Sequence, residues 1–174
     1  MPSLWSEFPI HFRSIINISP FSDEYLTRTL SGEYAHNKMF VTVDQNAIRV
    51  SVQACHDAII GLATDTGDEN LVHTEVILGA ENNTFVWIRE RITGDIHEQV
   101  SGNYVDCNTY KDFWVQWAEN GLSVGIGHDV PDRRILQWSE FNTTANPARA
   151  VSFTPGASAN MSVKVFLDEG EQHE

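Results

Sequence analysis

Apolar residues recur at every second position through the middle and end of the chain. Ile48, Val50, Val52 and Ala54 alternate with Arg49, Ser51 and Gln53, and Val72, Thr74, Val76 and Leu78 alternate with His73, Glu75 and Ile77. Leu122, Val124 and Ile126 alternate with Ser123 and Gly125, and Met161, Val163, Val165 and Leu167 with Ser162, Lys164 and Phe166. A period of two marks a strand with one face in a core and the other toward water. Ala58 to Leu62, Phe85 to Ile88, Phe113 to Trp117 and Val151 to Phe153 are rich in the β-branched and aromatic types that suit a pleated surface. No window of helical length keeps a 3.6-residue stripe.

Turn chemistry separates these runs: Asp65-Thr66-Gly67-Asp68, Gly79-Ala80-Glu81-Asn82-Asn83, Glu119-Asn120-Gly121, Gly127 to Asp132, and Thr154-Pro155-Gly156. Many short strands with regular turns predict one all-β domain, a sandwich or barrel, over residues 40–168. The less regular segment 1–39 is expected to supply an added strand or an interface, and 169–174 a flexible acidic tail.

At 174 residues, with 41% hydrophobic and 20% charged residues, the chain suffices for one core. Eleven Lys and Arg against 24 Asp and Glu give a formal charge of −13, which repels nucleic acid and anionic membrane surfaces. Such an excess serves solubility, or it brings carboxylates together on a hard cation. No apolar run approaches the roughly 20 residues of a membrane span. Met1 to Glu7 lacks the basic start and apolar stretch of a signal peptide, which leaves either an intracellular chain or a secreted one whose leader is missing. Asn-x-Ser/Thr triplets at Asn17, Asn82, Asn142 and Asn160 are glycan acceptors if the chain is secreted.

When successive strands run up and down, alternate connections fall at the same end of a sheet. Counted from the strand at Ile48, one end collects 55–57, 79–83, 102–111, 127–133 and 154–160. Cys55 and Cys107 both land there, which favours a disulfide, since bridged α-carbons must lie within about 7 Å; their number alone leaves two buried thiols open. The same end gathers Asp57, Glu81, Asn82, Asp106, Asp129 and Asp132, oxygen donors suited to Ca²⁺. His56, Asn83, Asn103, Tyr104, Tyr110 and His128 are the candidate ligand contacts beside them, the tyrosines as stacking platforms. Asp and Asn are also turn formers in their own right, and the opposite end offers a rival acidic loop in Asp65, Asp68, Glu69 and Asn70. Trp87, Trp114, Trp117 and Trp138 read as packing residues. The seven histidines show no zinc spacing, and no Ser-His-Asp or Cys-His set can be picked out.

From about Phe40 to Phe166 the chain resembles the domain named for farnesoic acid O-methyltransferase. The likeness runs through Val52-Gln53-Ala54-Cys55-His56-Asp57-Ala58-Ile59-Ile60-Gly61-Leu62, then Thr74 to Gly79, the Asn82-Asn83-Thr84 turn and Trp87-Ile88-Arg89. It continues through Asp106-Cys107, Phe113-Trp114-Val115-Gln116-Trp117, Gly121 to Gly125 and Leu136-Gln137-Trp138. The resemblance implies a compact antiparallel β-sandwich, jelly-roll-like in architecture. The family's Gly-Gly-Trp-Gly-Asn turn is replaced here by Gly79-Ala80-Glu81-Asn82-Asn83, a more acidic loop.

Methyl transfer from S-adenosylmethionine usually needs a strand, a Gly-rich turn and a helix, and Gly125-Ile126-Gly127 lies in a strand pattern with no helix after it. The leading expectation is therefore a secreted, non-enzymatic lectin-like module that binds galactose-type glycans through Ca²⁺. It is expected to dimerise for avidity and to serve innate immunity. A structural or protein-interaction sandwich is the alternative, and a farnesoic acid methyltransferase the remote one.

Overall fold

The computed structural model describes residues 25–91 and 94–166. The expectations for residues 1–24, including the triplet at Asn17, and for the acidic tail lie outside the described residues.

Among the described residues, twelve strands form two six-stranded sheets in which every neighbouring pair is antiparallel. In chain order they are β1 (Tyr25–Ser31), β2 (Phe40–Thr42), β3 (Ala47–Ala54), β4 (Ala58–Ala63), β5 (Val72–Gly79) and β6 (Phe85–Glu90). There follow β7 (Ile96–Ser101), β8 (Lys111–Ala118), β9 (Gly121–Ile126), β10 (Arg134–Trp138), β11 (Ala150–Pro155) and β12 (Asn160–Phe166). One sheet has the order β1-β12-β3-β8-β9-β10 and the other β2-β11-β4-β5-β6-β7. The protein is an all-β antiparallel sandwich.

The core forms between the sheets because the alternating residues face inward: Ile48, Val50, Val52, Phe113, Val115, Leu122, Val124, Val163 and Val165 meet Ile60, Leu62, Val76, Leu78, Val86, Ile88, Val151 and Phe153. β1 belongs to this structure, pairing with β12 from Tyr25–Phe166 to Ser31–Asn160.

One expectation is corrected. β5 reads as a strand with one face to water, yet Glu75 and Ile77 on its second face are buried, and β4 is buried at all six positions. The cover is the β1–β2 connection, whose short 3₁₀ turn His36–Lys38 lays His36 onto the sheet. Gly61 makes this close approach possible, since a Cβ there would lie 2.5 Å from Ser152 Oγ and 2.6 Å from His36 Cε1.

Trp114 points away from the core onto the outer face of the first sheet and is still fully buried. Its indole lies where a Cβ on Gly125 would be, 2.0 Å from Cε2, and its Nε1–H donates to the Asp132 carbonyl at 2.8 Å. The 127–133 hairpin thus folds over that face.

Candidate functional site

The most polar buried cluster is on the outer face of the second sheet. The Ser152 hydroxyl donates to His36 Nδ1 at 2.5 Å, and His36 Nε2–H donates to Glu75 Oε1 at 2.6 Å. Tyr34 OH also donates to Oε1, and Arg89 Nε to Oε2 at 2.8 Å. Burial pushes the Glu75 carboxyl upward, but the bonds from His36, Tyr34 and Arg89 outweigh it and hold the carboxyl below its usual value. Ser152, His36 and Glu75 have the order of an acyl-transfer relay. All three are 0% exposed, so no substrate reaches the hydroxyl. The network pins residues 34–36 to the sheet, with Ala35 N–H donating to Thr154 Oγ1 at 2.9 Å. Sequence reasoning missed it because its members lie far apart in the chain and Glu75 reads as a solvent-facing residue.

The loop end is built around Asp57. Its N–H donates to the Gly79 carbonyl at 3.0 Å, and its own carbonyl accepts Gly156 N–H at 2.8 Å. Ala54 N–H donates to the Asp106 carbonyl at 3.1 Å, and the Cys55–Cys107 disulfide crosses the same place with α-carbons 4.2 Å apart. Loops 55–57, 79–84, 102–110 and 156–159 thus share one end of the sandwich. The Asp65–Asn70 loop is at the far end of β4 and β5, where Asp68 Oδ1 accepts the N–H of Asn70 at 2.8 Å.

Of the expected calcium donors, Asp57 and Asp106 are held by local hydrogen bonds. Asp57 Oδ2 accepts from His56 Nδ1 at 2.9 Å, and both residues hold each other at the loop surface. Asp106 Oδ1 accepts the N–H groups of Asn108 and Thr109 at 2.7 and 3.1 Å; those bonds, Asn108's first, draw its carboxyl below the usual range. Glu81 and Asn82 are exposed in the turn Ala80–Asn83, with left-handed φ of 48° and 60°. Asp129 and Asp132 close the 127–133 hairpin, joined by Asp132 N–H to the Asp129 carbonyl at 2.7 Å. Among the described residues no three His, Cys, Asp or Glu side chains are grouped to hold a metal ion.

The expected ligand contacts also separate. Asn83 spends its amide on the neighbouring loop, donating Nδ2–H to the Val105 carbonyl at 2.8 Å and accepting the Tyr104 and Val105 N–H groups at 3.2 Å each. His128 folds back over the first sheet, where Nε2–H donates to the Val50 carbonyl at 3.1 Å and the ring lies 4.3 Å from that of Phe166.

Asn103, Tyr104 and Tyr110, in contrast, line one open cleft of about 410 Å³ between the 102–110 loop and the 127–133 hairpin. Lys111, Asp112 and Arg133 complete its polar lining, over a floor that includes Phe113 and Ile126. Lys164 Nζ sits 4.3 Å from the centroid of the Tyr110 ring and steadies it. Ser51 Oγ–H donates to Asp112 Oδ1 at 2.6 Å. Sequence reasoning missed Lys111, Asp112 and Arg133. Lys111 and Arg133 are the last residues of the 102–111 and 127–133 loop-end segments, and Asp112 follows the first of these, but residue type alone does not single them out.

Residues 29–169 match the family described as Farnesoic acid O-methyl transferase, and the chain belongs to that family. Uncharacterized protein 5 of Haliotis asinina is 26% identical over 108 residues, which is 62% of either chain. This chain therefore spans less than two thirds of that relative's length. A human galectin-16 variant is similar in structure at a TM-score of 0.48 and 12% identity, covering 81% of this chain and 100% of its own. The exoplasmic/lumenal domain of VIP36, in its Ca²⁺/Man3GlcNAc-bound form, gives 0.49 at 8% identity over 87% and 78%. A protein of unknown function with a galectin-like fold from Bacillus subtilis gives 0.48 at 8% identity over 92% and 84%. Similarity at this level concerns the sandwich alone.

Proposed function

We propose that this member of the family is a non-catalytic glycan-binding module of an extracellular or lumenal protein, with its saccharide seated in the cleft between the 102–110 loop and the 127–133 hairpin. The observation that carries this reading is the placement of Tyr104, Tyr110, Asn103 and Asp112 around one open cleft. A pyranose offers an apolar C–H face and a rim of hydroxyls. Tyrosine rings suit the first, and amide and carboxylate groups the second. A galactose-type sugar, with one broad C–H face clear of hydroxyls, suits the paired tyrosines. The disulfide supports an oxidising compartment.

Calcium enters as a question for the same experiment. Recognition in this reading is by the side chains directly. A cleft this open gives weak single-site binding, and pairing two copies would raise avidity.

Calorimetry against a glycan panel, with and without EDTA, tests the reading. Binding is expected to survive EDTA and to fall about tenfold on Tyr104→Ala or Tyr110→Ala, the loss of one stacked ring. Folded protein that binds no glycan overturns it. Loss of binding in EDTA restores the calcium expectation. The family's description favours methyl transfer as a second reading, to be tested by incorporation of labelled methyl into farnesoic acid by purified protein.

A further inference from the structure

The cleft carries the charge that the chain as a whole lacks. Eleven basic residues stand against 24 acidic ones, yet Lys111 and Arg133 line the same cleft, one beside the 102–110 loop and the other at the base of the 127–133 hairpin. The ion pairs within 4.0 Å among the described residues involve other groups, His36, His56, Arg89, Arg91, His97 and His128. Two of the nearby carboxylates, those of Asp112 and Asp106, already have partners within the fold. Asp112 accepts from Ser51 and lies 3.7 Å from His128 Nε2. Asp106 lies close enough to feel Lys111 but caps two loop amides. Arg133 is anchored by its main chain, with its carbonyl accepting Ile126 N–H at 3.1 Å and its φ at a left-handed 52°. For a side-chain-bearing residue that conformation costs about 1 kcal/mol or more. It fixes the direction of the Arg133 Cα–Cβ bond at the base of the hairpin.

We infer that the ligand of this cleft is an acidic saccharide, whose single carboxylate or sulfate ester is held by Arg133 and Lys111 while its ring lies on Tyr104 and Tyr110. The inference rests on the glycan-binding reading of the same cleft. A planar guanidinium matches two oxygens of a carboxylate or sulfate at once, and an ammonium adds a compact charge beside it. The chain's net charge of −13 shapes the size of the ligand as well. Contacts within the cleft act at hydrogen-bond range, whereas a long polyanion extends over the acidic surface and is repelled within about 8–10 Å of it. The site therefore selects one isolated acid group over a polysulfated chain.

The experiment compares four ligands by calorimetry on the intact protein: lactose, sialyllactose, 3′-sulfolactose and heparin. One or both of the singly acidic sugars is expected to bind at least tenfold more tightly than lactose, and the tighter of the two identifies the acid group. Arg133→Gln and Lys111→Gln are each expected to bring the acidic-to-neutral ratio toward one, and Arg133→Lys to give an intermediate ratio. Circular dichroism melts establish that each variant is folded. Acidic and neutral sugars within twofold of each other, or heparin bound more tightly than either single acid, would overturn the inference while leaving the cleft a glycan site. Binding of none of the four would overturn the glycan reading itself.

Discussion

Asn83 holds Val105 as a second strand would, its Nδ2–H donating to the Val105 carbonyl at 2.8 Å and its Oδ1 accepting the Val105 N–H at 3.2 Å. The same Oδ1 accepts Tyr104 N–H, so the loop that carries the Tyr104 ring is set by a side chain from the preceding turn. Asn83 itself has a left-handed φ of 63°, which asparagine tolerates better than most residues. Asn83→Gly keeps that backbone conformation and removes the amide. It is expected to cost about 1–3 kcal/mol in urea unfolding, the cost of leaving buried backbone groups unpaired, and to weaken glycan binding.

Glu75 predicts a stability change on the acid side. Its carboxyl is held below the usual value of 4.5, so the stability it contributes is complete above that value and is lost as pH falls through the folded-state value. Glu75→Gln leaves His36, Tyr34 and Arg89 without their shared anion and is expected to cost about 3–5 kcal/mol at pH 7. Urea midpoints taken from pH 7 to pH 3 should fall more steeply for the wild type than for the variant. Parallel curves would separate Glu75 from the acid transition.

On the alkaline side Tyr34 acts in the opposite sense. Burial, then its bond to Glu75, pushes the phenol well above its ordinary value. A raised value favours the protonated native state, so this stability is complete below about pH 10 and drains as pH rises further. Tyr34→Phe should flatten that loss, read as the slope of melting temperature against pH from 9 to 11.

His73 titrates earlier. Burial draws its imidazole below 6.5, partly countered by the Nε2–H bond to the Pro147 carbonyl at 3.1 Å. The neutral ring is the native form, so its contribution is whole above 6.5 and is lost as pH falls below it. His73→Gln should remove a component of the pH 5–6.5 slope in denaturant midpoints.

Two covalent and packing tests concern the frame. The Cys55–Cys107 bridge spans a sequence separation of 52, for which the chain-entropy relation gives about 4 kcal/mol. The double Cys→Ser variant should lose stability of that order in chemical unfolding. Gly125→Ala places a methyl 2.0 Å from an atom of the Trp114 ring and is expected to cost at least about 1–3 kcal/mol. A change in Trp fluorescence should accompany it, since Trp114 must leave its bond to Asp132.

The strands legible as alternating or β-rich runs in the sequence are the inner ones. The four that no such run announced, β1, β10, β2 and β7, are the four edges of the two sheets among the described residues. An edge strand has one neighbour and more polar positions, as in Ile96–Ser101, where the side chains are exposed or half-buried throughout. The period-two pattern weakens there for a physical reason. At the loop end, Asn103, Tyr104 and Tyr110 could be named from turn position and residue type. Lys111, Asp112 and Arg133 could not, because nothing local distinguishes them from surface charges.

The sequence by itself determined where the inner strands lie, because a strand's alternation is written in adjacent residues. The tertiary structure alone decided what covers each outward face. Glu75 looks solvent-facing until residues 34–36 fold across it. Asp57 and Asp106 look like part of an ion site until their carboxylates meet an imidazole and two loop amides. Strand parity puts Lys111 and Arg133 at one end of the sandwich, but they line one cleft only when a loop and a hairpin close on it. Those pairings depend on contacts between distant segments, and local pattern carries no record of them.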